Sequence, residues 1–243
     1  MGGALVRGWV KAGMAAQLTV TARTQGTLDK LLADCPKITT TLDNRKAVRD
    51  ADIVILAVKP WLVEGIITEI LPELNQSPAT QGGQGTKLLV SVAAGVRHER
   101  IDVYCMPNIA AQFGQSMTFI EEADNAGIVA ELFGRLGHSK VVPQRLMNAG
   151  MMMAGCGIAY VMRFLRAMME GGVEMGFYPN EALEISMQTM QGAVALLRET
   201  GLHPEAAIDK VTTPGGITIK GLNEMDHAGF NSAVIRCLKA GLK

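Results

Sequence analysis

The sequence has no excess charge of either sign. Lysine and arginine together number 23, aspartate and glutamate together number 23, and the formal net charge is +0 over 243 residues. A surface that binds nucleic acid or an anionic membrane needs concentrated positive charge, and no basic stripe appears here. We therefore expect no nucleic acid and no membrane among the partners of this protein.

Metal-binding and triad patterns are also missing. The four histidines and the four cysteines show no spacing typical of a metal site, a redox motif or a catalytic triad. We predict no metal, and we interpret His203, which precedes Pro204, as a loop or capping residue. The cysteines fit reduced thiols and no signal peptide is visible, which predicts a cytoplasmic location. They are Cys35, Cys105, Cys156 and Cys237.

Three short runs in the first half of the chain are rich in β-branched residues and indicate strands buried on both faces of a parallel sheet. Helical patterns alternate with them, which predicts βαβ units and a Rossmann-type doubly wound sheet of the α/β class. Ligands of such sheets lie at the carboxyl ends of the strands. The strands are predicted at 18–23, 52–58 and 88–93, and the helices at 4–12, 27–33, 45–51 and 62–74.

No strand pattern precedes the first predicted helix, although the strand that feeds this helix is central to a dinucleotide-binding sheet. Without it, backbone groups of the sheet would stay unpaired, so we expect the first strand to be missing before Met1. Gly2 would then be the last glycine of a G-x-G-x-x-G turn. The connection at 96–102 is short for a parallel crossover and the one at 121–127 is abrupt, so both are candidates for further omissions.

Arg23 and Thr24 follow Gly2 by about twenty residues, at the end of a predicted strand, where an NAD site usually has an acidic residue. The Arg23 guanidinium can form a bidentate fork with a 2′-phosphate, and Thr24 adds a hydroxyl. This pattern favours NADPH over NADH. The alternative is a solvated arginine at a strand end.

Residues 211–225 read VTTPGGITIKGLNEM and predict an anion site at a helix start. Pro214 suits the first helical position because its missing N–H would be unpaired there, and Gly215 and Gly216 let a ligand approach the backbone. A carboxylate would meet free N–H groups and the positive end of the helix dipole. The alternative is an ordinary capped helix start.

Strand patterns stop near Pro143, which predicts one domain at 1–143 and an all-helical domain at 144–243. Helices are predicted at 145–175, 180–200, 215–225 and 230–240. Methionines lie on more than one face of the first of these helices, so it must be buried on several sides. The helical domain is too small to cover it alone, which predicts a homodimer or a higher homo-oligomer; the alternative is the core helix of a monomer.

With these motifs, the sequence resembles the pyrroline-5-carboxylate reductase family over essentially its whole length. The strongest match is DKVTTPGGITIKGL at 209–222. The resemblance implies an N-terminal Rossmann domain for NADPH, a helical dimerisation and substrate domain, and reduction of 1-pyrroline-5-carboxylate to L-proline, the last step of proline biosynthesis. Further matches are MGGAL (1–5), AVKP (57–60), SVAAG (91–95), MPN (106–108), GIAY (157–160), EGGVEMG (170–176) and HP (203–204).

The resemblance also implies roles for single residues. Thr218 would be the catalytic residue, which orients or protonates the imine nitrogen. The substrate would bind at Thr213, Gly215, Gly216, Ile217 and Thr218. The cofactor would bind at Met1, Gly2, Arg23, Thr24, Ala57, Val58, Lys59, Pro60, Ala93, Ala94, Met106, Pro107 and Asn108.

One segment departs from the family. Residues 154–160 read AGCGIAY where the family usually has a loop written S-G-S-G-P-A-Y, so two hydroxyls and a proline of that loop are replaced in this chain. We interpret Cys156 as a small buried residue in a helix packing seam. Two other functions stay open: another Rossmann NADPH-dependent reductase of the hydroxyacid dehydrogenase type, or a nucleotide-sensing module without catalysis. The first of these generally needs a lysine on the central helix, which 145–175 lacks.

Overall fold

The computed structural model describes residues 1–76 and 87–242, and it divides the chain into two compact units, Met1–Gly155 and Cys156–Lys243. The first unit mixes strands and helices and the second is helical, so the predicted α/β fold class is confirmed. The predicted domain border at 143/144 precedes the border between the units and stays a proposal.

The first unit holds seven strands among its described residues. They are β1 (Thr19–Thr21), β2 (Thr39–Thr41), β3 (Ile53–Leu56), β4 (Leu88–Ser91), β5 (Val103–Met106), β6 (Ser116–Glu121) and β7 (Gly137–Val142). Its helices are α1 (Gly2–Lys11), α2 (Gln25–Asp34), α3 (Asn44–Arg49), α4 (Val63–Leu74), α5 (Ala126–Gly134) and α6 (Gln144–Gly150), followed by a π-helical turn (Met151–Cys156).

The strands form two sheets. A five-stranded sheet has the order β3-β4-β5-β6-β7, and β1 pairs with β2 in a separate two-stranded sheet. Neighbours pair in parallel except β5 and β6, which are antiparallel with Cys105 opposite Ile120. The predicted parallel arrangement is confirmed for β3 and β4, and β6 is the antiparallel member of the sheet.

A cavity of about 700 Å³ is lined by β1, β3 and α1. In the part of the chain that the structure describes, the only partner of β1 is β2 and the only partner of β3 within its sheet is β4. Apolar side chains of α1, including Leu5 and Val6, contribute to the cavity wall. The expectation that a strand is missing before Met1 stays a prediction.

Helices pack on the five-stranded sheet through apolar residues at helical spacing. In α4, Val63, Ile67, Ile70 and Leu74 recur at intervals of three and four residues, and all are buried against β3 and β4. On α1, the Trp9 ring meets Phe133 of α5 edge-on, with ring centroids 5.4 Å apart. These contacts place α1, α4 and α5 against the five-stranded sheet.

The short connection at 96–102 and the abrupt one at 121–127 both have a defined structure. Residues 92–102 join the parallel strands β4 and β5 through turns alone, and Gly95 takes a φ of +76° that favours glycine. Residues 122–125 join β6 to α5, which is the crossover to parallel β7. The proposed omissions at 96–102 and 121–127 stay predictions.

The second unit consists of α7 (Gly157–Glu174), α8 (Pro179–Thr200), α9 (Pro204–Lys210), α10 (Ile217–His227) and α11 (Phe230–Ala240). Helices α7 and α8 approach closely, because a β-carbon on Gly172 would lie 2.9 Å from the Ala182 β-carbon. Phe164 contacts Phe230 with ring centroids 5.8 Å apart. The stretch Gln144–Glu174 is long and apolar enough to cross a membrane by length and composition alone.

Candidate functional site

Three segments predicted to bind the cofactor lie side by side at one edge of the five-stranded sheet. Each follows the carboxyl end of a strand, and β3, β4 and β5 are parallel neighbours. The N-terminus of α1 joins them, since a β-carbon on Gly2 would lie 3.3 Å from the Ala57 β-carbon. The residues brought to this edge are Met1, Gly2, Ala57, Val58, Lys59, Pro60, Ala93, Ala94, Met106, Pro107 and Asn108.

The start of α1 has the features of an anion site. Met1 is the N-cap, its carbonyl accepts from the N–H groups of Ala4 and Leu5, and no acidic residue lies in the first turn. The N–H groups of Gly2 and Gly3 have no acceptor within a helix. A phosphate here would be favoured by these donors and by the helix dipole.

Arg23 and Thr24 are exposed and follow the end of β1. Thr24 is the N-cap of α2, and its hydroxyl lies 2.9 Å from the hydroxyl of Thr27. Across residues 1–76 and 87–242, the Arg23 guanidinium forms no ion pair with a protein carboxylate. Its charge is therefore available to a ligand.

Lys59 and Trp61 form a cation–aromatic pair beside the end of β3. The Lys59 Nζ lies 6.0 Å from the centroid of the Trp61 ring, which is 76% exposed. A short 3-10 helix, Pro60–Leu62, holds both residues ahead of α4. Trp61 was not among the predicted site residues, although it directly follows the AVKP motif.

Asn108 is buried and its side chain is engaged by the protein. Its Oδ1 accepts from the Ala110 N–H at 3.0 Å, and its Nδ2 donates to the Ala154 carbonyl at 3.2 Å. The Asn108 N–H donates to the Ser116 hydroxyl. Asn108 thus caps the 3-10 helix Ile109–Phe113 and fixes the backbone that follows β5. Its predicted contact with the cofactor stays a prediction.

The predicted substrate segment forms a tight turn ahead of α10. The Gly216 N–H donates to the Thr213 carbonyl at 2.9 Å, and Gly215 has a φ of +72° after Pro214. These are the features of a type II turn, which takes proline and glycine at its two central positions. The predicted helix start at 215 is wrong, since the helix begins at Ile217, and Pro214 lies in the turn and not at a first helical position.

The start of α10 also fits an anion. Gly216 is the N-cap, so no side chain occupies the first free N–H groups, and the first turn has no acidic residue. Ile217 is 87% exposed, and Thr218 is exposed beside it. The structure therefore brings Thr213, Gly215, Gly216, Ile217 and Thr218 together around one helix start.

Other titratable groups have structural roles. His203 is the N-cap of α9 and its Nδ1 accepts from the Glu205 N–H at 3.3 Å, so its interpretation as a capping residue is confirmed.

Burial raises the pKa of the Cys105 thiol, and Cys156 is only half-buried. Residues 154–160 are helical rather than a loop. Within the described ranges, no three histidine, cysteine or acidic residues form a cluster that could hold a metal.

Two protein-family models match the chain. Residues 144–243 match "Pyrroline-5-carboxylate reductase dimerisation", and residues 1–95 match "NADP oxidoreductase coenzyme F420-dependent". The helical stretch Gln144–Glu174 therefore lies in a segment matched by the dimerisation model.

Curated relatives match over most of the chain. The pyrroline-5-carboxylate reductase of Methanosarcina acetivorans is 33% identical over 97% of this chain and 91% of its own length. The enzyme of that name from Glycine max is 32% identical over 85% of this chain and 77% of its own length. Pyrroline-5-carboxylate reductase 1 of Dictyostelium discoideum is 35% identical over 97% of this chain. The match covers 46% of that longer protein.

Solved structures share the fold. A pyrroline-5-carboxylate reductase from Coxiella burnetii superposes with a TM-score of 0.85 at 24% identity, covering 98% of this chain and 91% of its own. The Plasmodium falciparum pyrroline carboxylate reductase with NADP bound gives 0.83 at 22% identity, covering 99% and 91%.

Proposed function

The chain belongs to the pyrroline-5-carboxylate reductase family, and we propose that it reduces 1-pyrroline-5-carboxylate to L-proline with NADPH. The relatives that carry this family name confirm the resemblance seen in the sequence and make the chain an NAD(P)H-dependent oxidoreductase. The observation that carries the substrate assignment is the start of α10, where a glycine N-cap leaves N–H groups free beside Thr218.

The edge of the five-stranded sheet fits a dinucleotide. Gly2 allows the start of α1 to approach Ala57 without a side chain between them, and the free N–H groups there suit a pyrophosphate. Arg23 and Thr24 supply a guanidinium and a hydroxyl for the 2′-phosphate that distinguishes NADPH from NADH. Segments 57–60, 93–94 and 106–108 would hold the ribose and the nicotinamide. When bound, NADPH supplies the hydride that reduces the C=N carbon.

The substrate is a cyclic imine that carries a carboxylate. The free N–H groups at the start of α10, among them those of Ile217 and Thr218, would bind the carboxylate, and the turn at Gly215 and Gly216 leaves room for it. The Thr218 hydroxyl would orient the imine nitrogen or give it a proton. Because the protonated imine is already electrophilic, alignment of the reactants supplies most of the rate, and no metal or histidine is required.

A homodimer is part of the proposal. Among the described residues of the helical unit, the buried ones are Gly157, Gly172, Ala182, Ser186 and Ala207. None has a large apolar side chain, while large apolar side chains on α7, α8 and α11 are exposed. Exposed apolar faces of this kind are typical of a protein–protein interface. The match to the dimerisation model supports a second copy of the chain as the partner that buries them.

Light scattering tests the dimer. Ile185, which is 47% exposed on α8, should weaken the dimer when it is changed to Glu, because the charge would be buried at the contact. Ile128→Glu is the control, since Ile128 is 55% exposed on α5 in the other unit. A fully active monomer at micromolar concentration would contradict the dimer.

We also propose a cytoplasmic location. The cysteines in the described ranges are free, which fits a reducing compartment. Fractionation of cells that express the protein at native level should recover the activity with the cytosolic marker enzymes. Recovery of the protein in the membrane pellet would instead assign a membrane role to the apolar stretch Gln144–Glu174.

The reductase activity is tested directly with the purified protein. NADPH absorbance should fall when pyrroline-5-carboxylate is added, and chromatography should identify L-proline in an amount equal to the NADPH consumed. A hydroxyacid dehydrogenase would instead reduce NADP⁺ with a small hydroxyacid, and a sensing module would bind NADPH without turnover. Either of these results would overturn the proposal.

A further inference from the structure

The connection between β4 and β5 carries Ala93 and Ala94 at the edge of the sheet and then returns without a helix. In most parallel crossovers a packed helix fixes the connection. Here residues 92–102 contain only turns. The backbone that faces the proposed nicotinamide site is therefore fixed by a few backbone hydrogen bonds, such as that from the Val92 N–H to the Leu56 carbonyl at 3.1 Å, and by side-chain contacts.

Arg97 makes the most extensive of these contacts. Its two terminal nitrogens donate to the two carboxylate oxygens of Glu121, at 2.6 and 2.5 Å. The guanidinium carbon also lies 4.2 Å from the centroid of the Tyr104 ring. Glu121 ends β6 and Tyr104 lies on β5, so one side chain ties the connection to two strands.

The neighbouring residue extends this attachment. The His98 N–H donates to the Tyr104 hydroxyl at 2.6 Å, and the same hydroxyl donates to the His98 carbonyl at 3.2 Å. On the other side, the His98 Nε2 lies 3.5 Å from the Glu64 carboxylate, in the first turn of α4. That helix begins just after Lys59 and Pro60, so two segments of the proposed cofactor site are linked through residues 97 and 98.

We propose that Arg97 is a positioning residue for hydride transfer. Its fork to Glu121 and its stacking on Tyr104 hold the backbone of Ala93 and Ala94, which faces the proposed nicotinamide site. Arginine is needed because a lysine has neither the planar fork nor the stacking surface. A shift of about 1 Å in a positioning element can lower a rate by about a hundredfold. This inference rests on the proposed function.

Arg97→Ala and Arg97→Lys are the test variants, and Arg100→Ala is the matched control. Arg100 lies in the same connection and pairs with Asp102 at 2.9 Å, but it also donates to the Lys87 carbonyl, at the opposite end of β4 from Ala93. The readouts are kcat, the melting temperature, and the primary isotope effect with NADPH deuterated at the transferred position. Glu121→Gln, which keeps the shape of the partner, covers the case in which Arg97→Ala does not fold.

We expect Arg97→Ala to lower kcat by about ten- to a hundredfold and to raise the isotope effect, because misalignment slows the hydride step. Arg97→Lys and Glu121→Gln should show smaller effects of the same kind. Arg100→Ala should lower the melting temperature and leave the isotope effect as in the wild type.

If Arg97→Ala keeps the wild-type kcat and isotope effect, or only matches Arg100→Ala, the positioning role is overturned while the reductase activity stands. If the wild type does not oxidise NADPH with pyrroline-5-carboxylate, the proposed function fails, and the inference fails with it.

Discussion

Gly216 approaches Thr213 so closely that a β-carbon at position 216 would lie 2.6 Å from the Thr213 hydroxyl oxygen. An alanine there must displace the Thr213 hydroxyl and would also press on the Thr213 carbonyl oxygen, 3.0 Å away, which disturbs the turn ahead of α10. We therefore expect Gly216→Ala to raise the KM for pyrroline-5-carboxylate by about tenfold or more, because a displaced helix start no longer binds the carboxylate. Steady-state kinetics with varied substrate at saturating NADPH checks this.

Gly221→Ala is the control for that variant. Gly221 lies within the same helix, and a β-carbon on it would meet nothing within 4 Å. Replacing a helical glycine with alanine should raise stability by about 0.5–1 kcal/mol and leave the KM unchanged. Equal KM values for the two variants would show that the Gly216 turn does not form the substrate site.

Arg23 should determine the preference of the enzyme for NADPH over NADH. Loss of a charge-assisted hydrogen bond costs about 1.5–3 kcal/mol, so Arg23→Asp should lower kcat/KM for NADPH by about ten- to a hundredfold. The value for NADH should fall little or rise, since its ribose lacks the 2′-phosphate. Kinetics with both cofactors measures the ratio, and Lys37→Gln, at another exposed cation, serves as control. Equal use of both cofactors by the wild type would contradict the role of Arg23.

Substitutions of Thr218 distinguish a role in catalysis from a role in stabilising the first turn of α10. If its hydroxyl orients or protonates the imine nitrogen, Thr218→Ala should lower kcat by roughly ten- to a thousandfold while NADPH affinity barely changes. Thr218→Ser keeps the hydroxyl and should recover much of the rate, whereas Thr218→Val keeps the shape and should not. A role in the first helical turn alone would instead lower the melting temperature of all three, with kcat per folded enzyme near the wild-type value.

Glu73 links the stability of the first unit to pH. Its carboxylate is 3% exposed and accepts from the Arg45 Nε at 2.9 and 3.0 Å, and this hydrogen bond holds the pKa of Glu73 below its usual value. The unfolded carboxyl titrates at about pH 4.3, so the stabilisation is present above that pH and is lost as the pH falls through the lower folded pKa.

Glu73→Gln should therefore lower the free energy of unfolding at neutral pH, and the difference from the wild type should shrink below about pH 4. Urea unfolding at several pH values measures this difference. Glu69→Gln, at an exposed carboxylate on the same helix, should show little effect. A difference that does not change with pH would mean that packing, not charge, accounts for the effect of Glu73.

The elements that the sequence predicted are those with apolar runs or long helical periods. Strands β3 and β4 and the helix α11 appear where their patterns indicated. Strand β2 is three threonines and β7 begins with GHSK, so neither offers an apolar run to recognise. Their pairing depends on neighbouring strands, which a local pattern does not contain.

The site was predicted as a set of residues, but several of their contacts were not. Pro214 was placed in the helix because proline suits both a first helical turn and the second position of a type II turn. Local sequence does not distinguish these two. Arg97 also escaped prediction, because its partners Tyr104 and Glu121 come together only when β5 and β6 pair.

Cys35 and Cys105 lie in different apolar clusters. Cys35 packs with Val6, Leu31 and Ile38, and Val20 of β1 packs against the same cluster. Cys105 belongs instead to the core of the five-stranded sheet. Burial raises the pKa of both thiols, so each is alkylated only when its surroundings open. The rates at which Cys35 and Cys105 are alkylated under native conditions therefore report the two opening events separately. If the two-stranded sheet of β1 and β2 opens by itself, Cys35 reacts well before Cys105. If the first unit opens as one body, both cysteines react together.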